Sequence, residues 1–283
     1  MPGTSYPTTQ RRYLNDTYLY DISSTILAVE PMPPDTSAGS NKMPYFGLVI
    51  AETVFHPQGG GQPSDVGRVV GENGVTFFVD NVRVGENAII YHYGTFQHEM
   101  SENEDGARCI PFRSGEKVKL EIDAARRRLH ARLHSAGHAL DVAVLRLGFE
   151  LRPTKGYHFE DHPFVEYLGK LPADKGSSER LIEALTLKIQ ELIEEDIATE
   201  LYSTSKAEAA SILSGGVNDV AHFPEGAQVR LVSVGGNICP CGGTHVKSTK
   251  ELRGVEITRI KTKKNVTKIS YRISKEGKER QIS

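Results

Sequence analysis

The 283-residue chain has no tryptophan, only three cysteines and four methionines, and no long apolar run. Two of the cysteines, Cys239 and Cys241, stand only two positions apart. That is no disulfide framework, so a stapled secreted module is excluded and a reducing compartment, the cytoplasm, is expected. No apolar stretch approaches the roughly 20 residues of a membrane span, so no membrane attachment is expected. Residues 1–14 carry no hydrophobic core of a signal peptide and are too polar and proline-broken for a transit helix. With 38% hydrophobic and 25% charged residues the composition is that of an ordinary globular protein. The length suffices for one large domain or two modest ones. No internal repeat is present.

A strong net charge is also missing, since 34 basic residues face 36 acidic ones. The distribution is uneven, however. From Arg253 to Ser283 ten Lys or Arg stand against three Glu, and Arg126, Arg127, Arg128 and Arg132 form a second basic row. Acid concentrates at 102–105 and 191–196. Basic stripes suit a polyanion such as RNA, whose phosphates supply much of the binding energy. They are equally the ordinary solvated faces of strands and helices.

The first 120 or so residues read as β-structure: runs at 45–55, 75–82 and 88–93 are rich in aliphatic and aromatic residues and separated by Gly, Asn and Asp. Segments 30–43 and 97–107 read as surface loops. A small barrel is the expected arrangement. At Asp123 the texture changes. Leu129, Leu133, Ala136, Leu140, Ala143 and Leu147 recur at helical spacing, with Asp123 as N-cap and Gly148 as stop. An amphipathic helix is expected over 178–201, and antiparallel strands over 228–234, 255–260 and 266–273, with Lys263-Lys264-Asn265 as the last hairpin turn. The fold class expected is α+β: a small N-terminal β-barrel domain, 1–120, then an α+β domain, 121–283, with an antiparallel sheet and a helix carrying an HxxxH motif.

Two short motifs concentrate the chemistry. His134-Ser-Ala-Gly-His138 lies on the expected helix, and Cys241-Gly-Gly-Thr-His245 follows about a hundred residues later. On a helix, side chains at i and i+4 project from one face, one turn apart. Three imidazoles and one thiolate suit Zn²⁺ in tetrahedral geometry. Such a set is ambiguous on count alone. A fully protein-coordinated zinc is typically structural, so catalysis requires either that one of the four is a poor ligand or that the metal expands its coordination with substrate. The HExxH metalloprotease pattern is excluded, because Ser135 stands where that chemistry needs Glu. His130 continues the helical row and reads as a residue beside the site or at the surface.

A third motif is Gly59-Gly60-Gly61-Gln62-Pro63-Ser64-Asp65-Val66-Gly67. Consecutive glycines let the backbone approach a ligand or take φ > 0, and Gln62 and Asp65 could then present hydrogen-bonding groups. The plainer reading is a tight turn in which Asp65 caps its own backbone. It is no P-loop, lacking the Gly-Lys-Ser/Thr ending.

These three motifs, in this order, resemble the editing regions of alanyl-tRNA synthetases and the free-standing AlaX-type alanyl-tRNA editing proteins. The likeness runs from about Thr53 to Arg272. Nothing resembles the class II aminoacylation core. The resemblance therefore points to the stand-alone form with an N-terminal barrel and without the further C-terminal tRNA-binding domain. It implies hydrolysis of the ester joining a wrong amino acid, chiefly serine and secondarily glycine, to the acceptor end of alanine tRNA, with Zn²⁺ as cofactor. His134, His138, Cys241 and His245 match the zinc positions and carry the catalysis. Thr154 falls where the family places a polar residue beside the amino-acid pocket, and Gly60, Gly61, Gln62 and Asp65 belong to the motif bordering that site. His56 departs from a tyrosine common there, and Cys239 is an additional thiol. The implied chemistry is attack of water on the ester carbonyl, the metal activating the water or gripping the substrate; no carboxylate near the motifs stands out as general base. No obligate protein partner is expected. Two rival readings are a deacylase of serine on threonine tRNA and an inactive zinc- and RNA-binding descendant.

Overall fold

A computed structural model describes residues 6–32, 44–97, 110–171 and 177–274. Nearly all of the two expected surface loops falls outside the described residues. The chain forms two compact units, Met1–Gly59 with Pro63–Arg128, and Gly60–Gln62 with Leu129–Ser283.

The first unit contains β1 (Gln10–Arg11), β2 (Asp21–Pro31), β3 (Phe46–Ile50), β4 (Glu52–Thr53), β5 (Gly67–Gly71), β6 (Thr76–Val84), β7 (Ile90–Phe96) and β8 (Lys117–Ile122). β1 and β4 make a short parallel pair, and the other six close a barrel in the order β2-β3-β7-β6-β5-β8. Alternation drives the closure. Ile90, His92, Gly94 and Phe96 of β7 and Val118, Leu120 and Ile122 of β8 are buried, while their neighbours are less so. Phe96 meets Phe46, Phe77 and Phe112 edge-on at 5.4, 4.9 and 5.3 Å between centroids, the geometry aromatic quadrupoles favour. β7 begins two residues later than expected because a 3₁₀ turn at Glu86–Ala88, with Asn87 and Ala88 at positive φ, precedes it. β2 has a Ser/Thr-rich first half and was missed by hydrophobic patterning.

Helix α1 (Ala124–Arg146) begins where the Asp123 carboxylate accepts the Arg126 N–H at 2.9 Å. It ends where Gly148, at φ 73, donates to the Leu145 carbonyl and Phe149 donates to that of Val144, a glycine-terminated stop.

In the second unit follow β9 (Arg152–Tyr157), β10 (Phe164–Leu168), α2 (Ser178–Glu195), β11 (Glu200–Ser205), α3 (Lys206–Ile212), α4 (Val217–Val220), β12 (Gln228–Val234), β13 (Asn237–Pro240), β14 (Val255–Lys263) and β15 (Val266–Ile273). They build an antiparallel sheet β14-β15-β10-β9 and a second one, β11-β12-β13. The core joins Leu133, Ala136, Leu140 and Ala143 of α1 to Leu181, Leu185, Ile189 and Leu192 of α2, with Tyr167, Ile257 and Ile269 from the larger sheet. Each such leucine contributes about 1.5–3 kcal/mol by leaving water. The helix expected over 178–201 is corrected here. It stops at Glu195, because Asp196 adopts the left-handed conformation (φ 51) and Ser248 Oγ bonds its carboxylate at 2.5 Å, so Leu201 lies in β11. Barrel, sheets and helices make the class α+β. No helix among the described residues is long and apolar enough to cross a membrane.

Candidate metal centre

Four side chains converge in the second unit. α1 carries His134 and His138 on one face, and the segment after β13 supplies Cys241 and His245. One ligand atom from each lies within 4.8 Å of all the others. Cys241 Sγ is 3.5 Å from His134 Nε2 and 3.3 Å from His245 Nε2.

The opposite edge of each ring is anchored. His134 Nδ1 lies 2.8 Å from Gln62 Oε1, His245 Nδ1 3.1 Å from Ser135 Oγ, and His138 Nδ1 3.4 Å from Cys239 Sγ. Gln62 Oε1 can only accept, and it also accepts the Thr244 N–H while Gln62 Nε2 donates to Thr244 Oγ1. His134 therefore donates from Nδ1 and presents Nε2 as an acceptor toward Cys241 Sγ. His138 Nε2 is buried with no hydrogen-bond partner. An unsatisfied buried nitrogen costs about 1–3 kcal/mol, and a cation among these four donors removes that cost. The donor set and the orphaned nitrogen both fit a zinc-class ion.

Two glycines let the chain reach this geometry. At Gly61 (φ 78) a Cβ would sit 2.3 Å from the Gly156 carbonyl oxygen, and the Gly61 carbonyl accepts the His158 N–H at 2.8 Å. The loop is thereby strapped to β9, which aims Gln62. At Gly243 a Cβ would lie 2.2 Å from His134 Nδ1 and Cε1, so only glycine lets the Cys241–His245 turn close over that ring.

Burial sets the electrostatics. It holds His138 down to about 4, helped by the Arg230 guanidinium, and His158 down to about 3, helped by His138. Both are neutral imidazoles at ordinary pH. Burial pushes the Cys241 thiol up, against the Gly243 N–H and Arg230; a cation in the cluster reverses that preference.

Of the expected site residues, Gly60 borders His134, a Cβ there lying 4.0 Å from Cε1. Thr154 is exposed on β9 and its hydroxyl donates to the Glu166 carbonyl at 3.0 Å. Asp65 belongs to the first unit, where its carboxylate accepts Arg127 Nε at 3.2 and 3.1 Å and the His56 N–H at 2.6 Å. Both partners are buried, at 1% and 0% exposure. The carboxylate is thus engaged inside its own unit, on the Arg127 guanidinium and on the His56 main chain nine residues away. Arg127 correspondingly leaves the expected basic row, since a buried guanidinium cannot meet phosphate.

Sequence reasoning missed three neighbours of the cluster. His158 stacks on His134, with centroids 4.5 Å apart and planes at 18°. Its Nδ1 lies 2.6 Å from the Tyr271 hydroxyl, which donates to the Leu133 carbonyl. Asp141, seven residues after His134 and so on the same helix face, accepts the Tyr167 hydroxyl at 2.6 Å, and burial raises its carboxyl to about 7. Ser135 is the third. Only Asp141 had a visible signal, the i+7 spacing.

A barrel joined in sequence to an α+β unit with a His₃Cys cluster is the organisation expected of an aminoacyl-tRNA editing module. Residues 229–278 match the family described as the threonyl and alanyl tRNA synthetase second additional domain. The chain is 32% identical over 260 residues to the alanyl-tRNA editing protein AlaX-M of Methanosarcina mazei, covering 90% of this chain and 92% of that one. To AlaX-L of Pyrococcus horikoshii it is 30% identical over 266 residues, 93% of this chain but 57% of that relative, so it spans little more than half the longer protein. The alanine–tRNA ligase of M. mazei is 30% identical over 218 residues, 75% of this chain and 21% of the ligase. The chain belongs to the AlaX family of alanyl-tRNA editing proteins.

Proposed function

We propose that this protein is a trans-editing hydrolase of the cytoplasm that removes serine, and glycine secondarily, from mischarged alanine tRNA. The observation that carries the proposal is the convergence of His134, His138, Cys241 and His245, one ligand atom of each within 4.8 Å of the others, in a chain of the AlaX family. In this reading these four hold Zn²⁺, which supplies Lewis acidity toward an ester. Gln62, Ser135 and Cys239 fix the ring planes from behind. Gly60 and Gly61 keep the approach to His134 free of side chains for the acceptor end. Thr154 offers its hydroxyl to the serine side chain, so that alanine leaves a polar group unanswered. Residues 121–283 perform the hydrolysis, and residues 1–120 form the barrel domain. The basic strands β14 and β15, with Arg259, Lys261 and Lys268, attract the tRNA backbone.

The test is release of labelled serine from serine-charged alanine tRNA, with correctly charged alanine tRNA as control, before and after chelation. Rapid loss of serine alone, abolished by chelator and restored by Zn²⁺, is the expected result. No hydrolysis by zinc-loaded protein overturns the activity and leaves a binding module. Preferential release from threonine tRNA moves the substrate, a reading favoured by the threonyl name of the matched domain.

A further inference from the structure

We infer that Cys239, which lies outside the four-residue cluster, is the positioning residue for the metal ligand His138 and acts as a hydrogen-bond acceptor through its sulfur. The inference rests on the metal-site reading above. It begins with strand register. Cys239 is in β13, opposite Val232 of β12, and the ladder continues past Pro240 as Cys241 N–H donates to the Arg230 carbonyl. Residues i and i+2 of a strand share a face. The Cys-Pro-Cys run therefore sends both sulfurs to one side and the proline to the other. Cys241 reaches the Nε2 atoms of His134 and His245, whereas Cys239 stops at the far edge of His138, 3.4 Å from Nδ1.

The hydrogen count on His138 decides the direction of that contact. A neutral imidazole carries one N–H. Were the thiol to donate to Nδ1, the proton would sit on Nε2, which is buried and has no acceptor. With the proton on Nδ1, sulfur accepts it, and the Nε2 lone pair is free for a metal. Only the second arrangement leaves Nε2 as a lone pair that a cation can take up, instead of a buried N–H with no acceptor. It also completes a pattern, because His134 and His245 are held at Nδ1 by Gln62 and Ser135. Partners of this kind typically affect metal affinity 10–100-fold. Sulfur is a weak, long acceptor, so His138 is the least firmly oriented of the three imidazoles.

The test uses Co²⁺ and Zn²⁺ binding to the full chain, measured by chelator competition and by the visible spectrum of the cobalt form. Cys239→Val keeps the volume and removes the acceptor; Cys239→Ser keeps an acceptor. Affinity is expected to fall about 10–100-fold in Cys239→Val, with a changed d–d envelope, and to recover most of that loss in Cys239→Ser. If Cys239→Val does not fold, Cys239→Ala takes its place in the comparison. Wild-type affinity in Cys239→Val, or equal loss in the serine and apolar variants, overturns the inference. So does a halved sulfur-to-cobalt charge-transfer band in Cys239→Ser, which makes Cys239 a ligand. Failure of the wild-type chain to bind either metal overturns the underlying site reading instead, so the two failures are told apart.

Discussion

Gln62 and His134, 72 positions apart in sequence, are joined by a 2.8 Å contact between the glutamine oxygen and imidazole Nδ1. The same glutamine holds both the main chain and the hydroxyl of Thr244. One amide thus ties the glycine-rich loop, the HxxxH helix and the Cys-Gly-Gly-Thr-His turn together. Replacing it with leucine removes the acceptor that fixes the His134 tautomer and leaves Thr244 N–H buried and unanswered. Gln62→Leu is expected to bind zinc about 10–100-fold more weakly. Gln62→Glu, which keeps an acceptor, should lose much less. Chelator competition reads both, and equal affinities in Gln62→Leu and wild type would remove Gln62 from the site.

The legible part of the site was what local spacing encodes. His134 and His138 share a helix face by the 3.6-residue period, and the Asp123 cap and Gly148 stop are local side-chain and backbone effects. The barrel was expected from short apolar runs separated by Gly, Asn and Asp, such as 88–93, most of which falls in β7. What stayed hidden depends on contacts across long sequence separations. Gln62 was singled out, but its partner could not be known before loop and helix were brought together. Asp65 reads as a substrate contact or a cap of its own turn, because nothing near it in sequence announces Arg127. His158 reaches His134 from a β9 edge whose pattern Arg152–Tyr157 carries no hydrophobic period at all. The overlong second helix had a similar origin: apolar residues continued past Asp196, and its left-handed backbone is set by Ser248 and Lys250.

Thr154 offers a sharper test of substrate choice than of stability. Its hydroxyl is exposed and donates to the Glu166 carbonyl, so Thr154→Val should change stability by no more than about 0.5 kcal/mol. Serine release should fall about tenfold, the worth of one hydrogen bond near 1.4 kcal/mol, while zinc content stays normal. An unchanged serine rate at normal zinc content would place the selectivity elsewhere.

The Arg127–Asp65 pair is a stability device of the first unit. Arg127 donates to the Asp65 carboxylate and to the carbonyls of Thr17 and Val54, all in buried surroundings. Removing one partner strands the other charge without water. Arg127→Met is expected to cost about 3–5 kcal/mol, and Arg127→Met with Asp65→Leu distinctly less than the two single changes summed. Urea unfolding of the three variants checks this. Strict additivity would show that the two groups do not act as a pair.

His92 makes the barrel sensitive to mild acid. Its Nδ1 donates to the Leu48 carbonyl at 3.1 Å, and the Thr53 hydroxyl, itself accepting the Phe55 N–H, lies 2.7 Å from Nε2. The neutral ring satisfies both nitrogens, Nε2 accepting from the Thr53 hydroxyl. Burial, opposed by the Leu48 carbonyl, holds it down to about 4 from an ordinary 6.5. Between these values the unfolded chain binds a proton that the folded barrel refuses, so stability rises with pH across that window. It is complete above 6.5 and lost progressively as pH falls toward 4, by about 3 kcal/mol in all. Carboxylates contribute a similar trend at lower pH, so the informative range is 5 to 6.5. There wild type should lose stability about 1.4 kcal/mol per pH unit faster than His92→Leu, at most. Parallel pH curves for the two proteins would show that His92 titrates alike in the folded and unfolded chain.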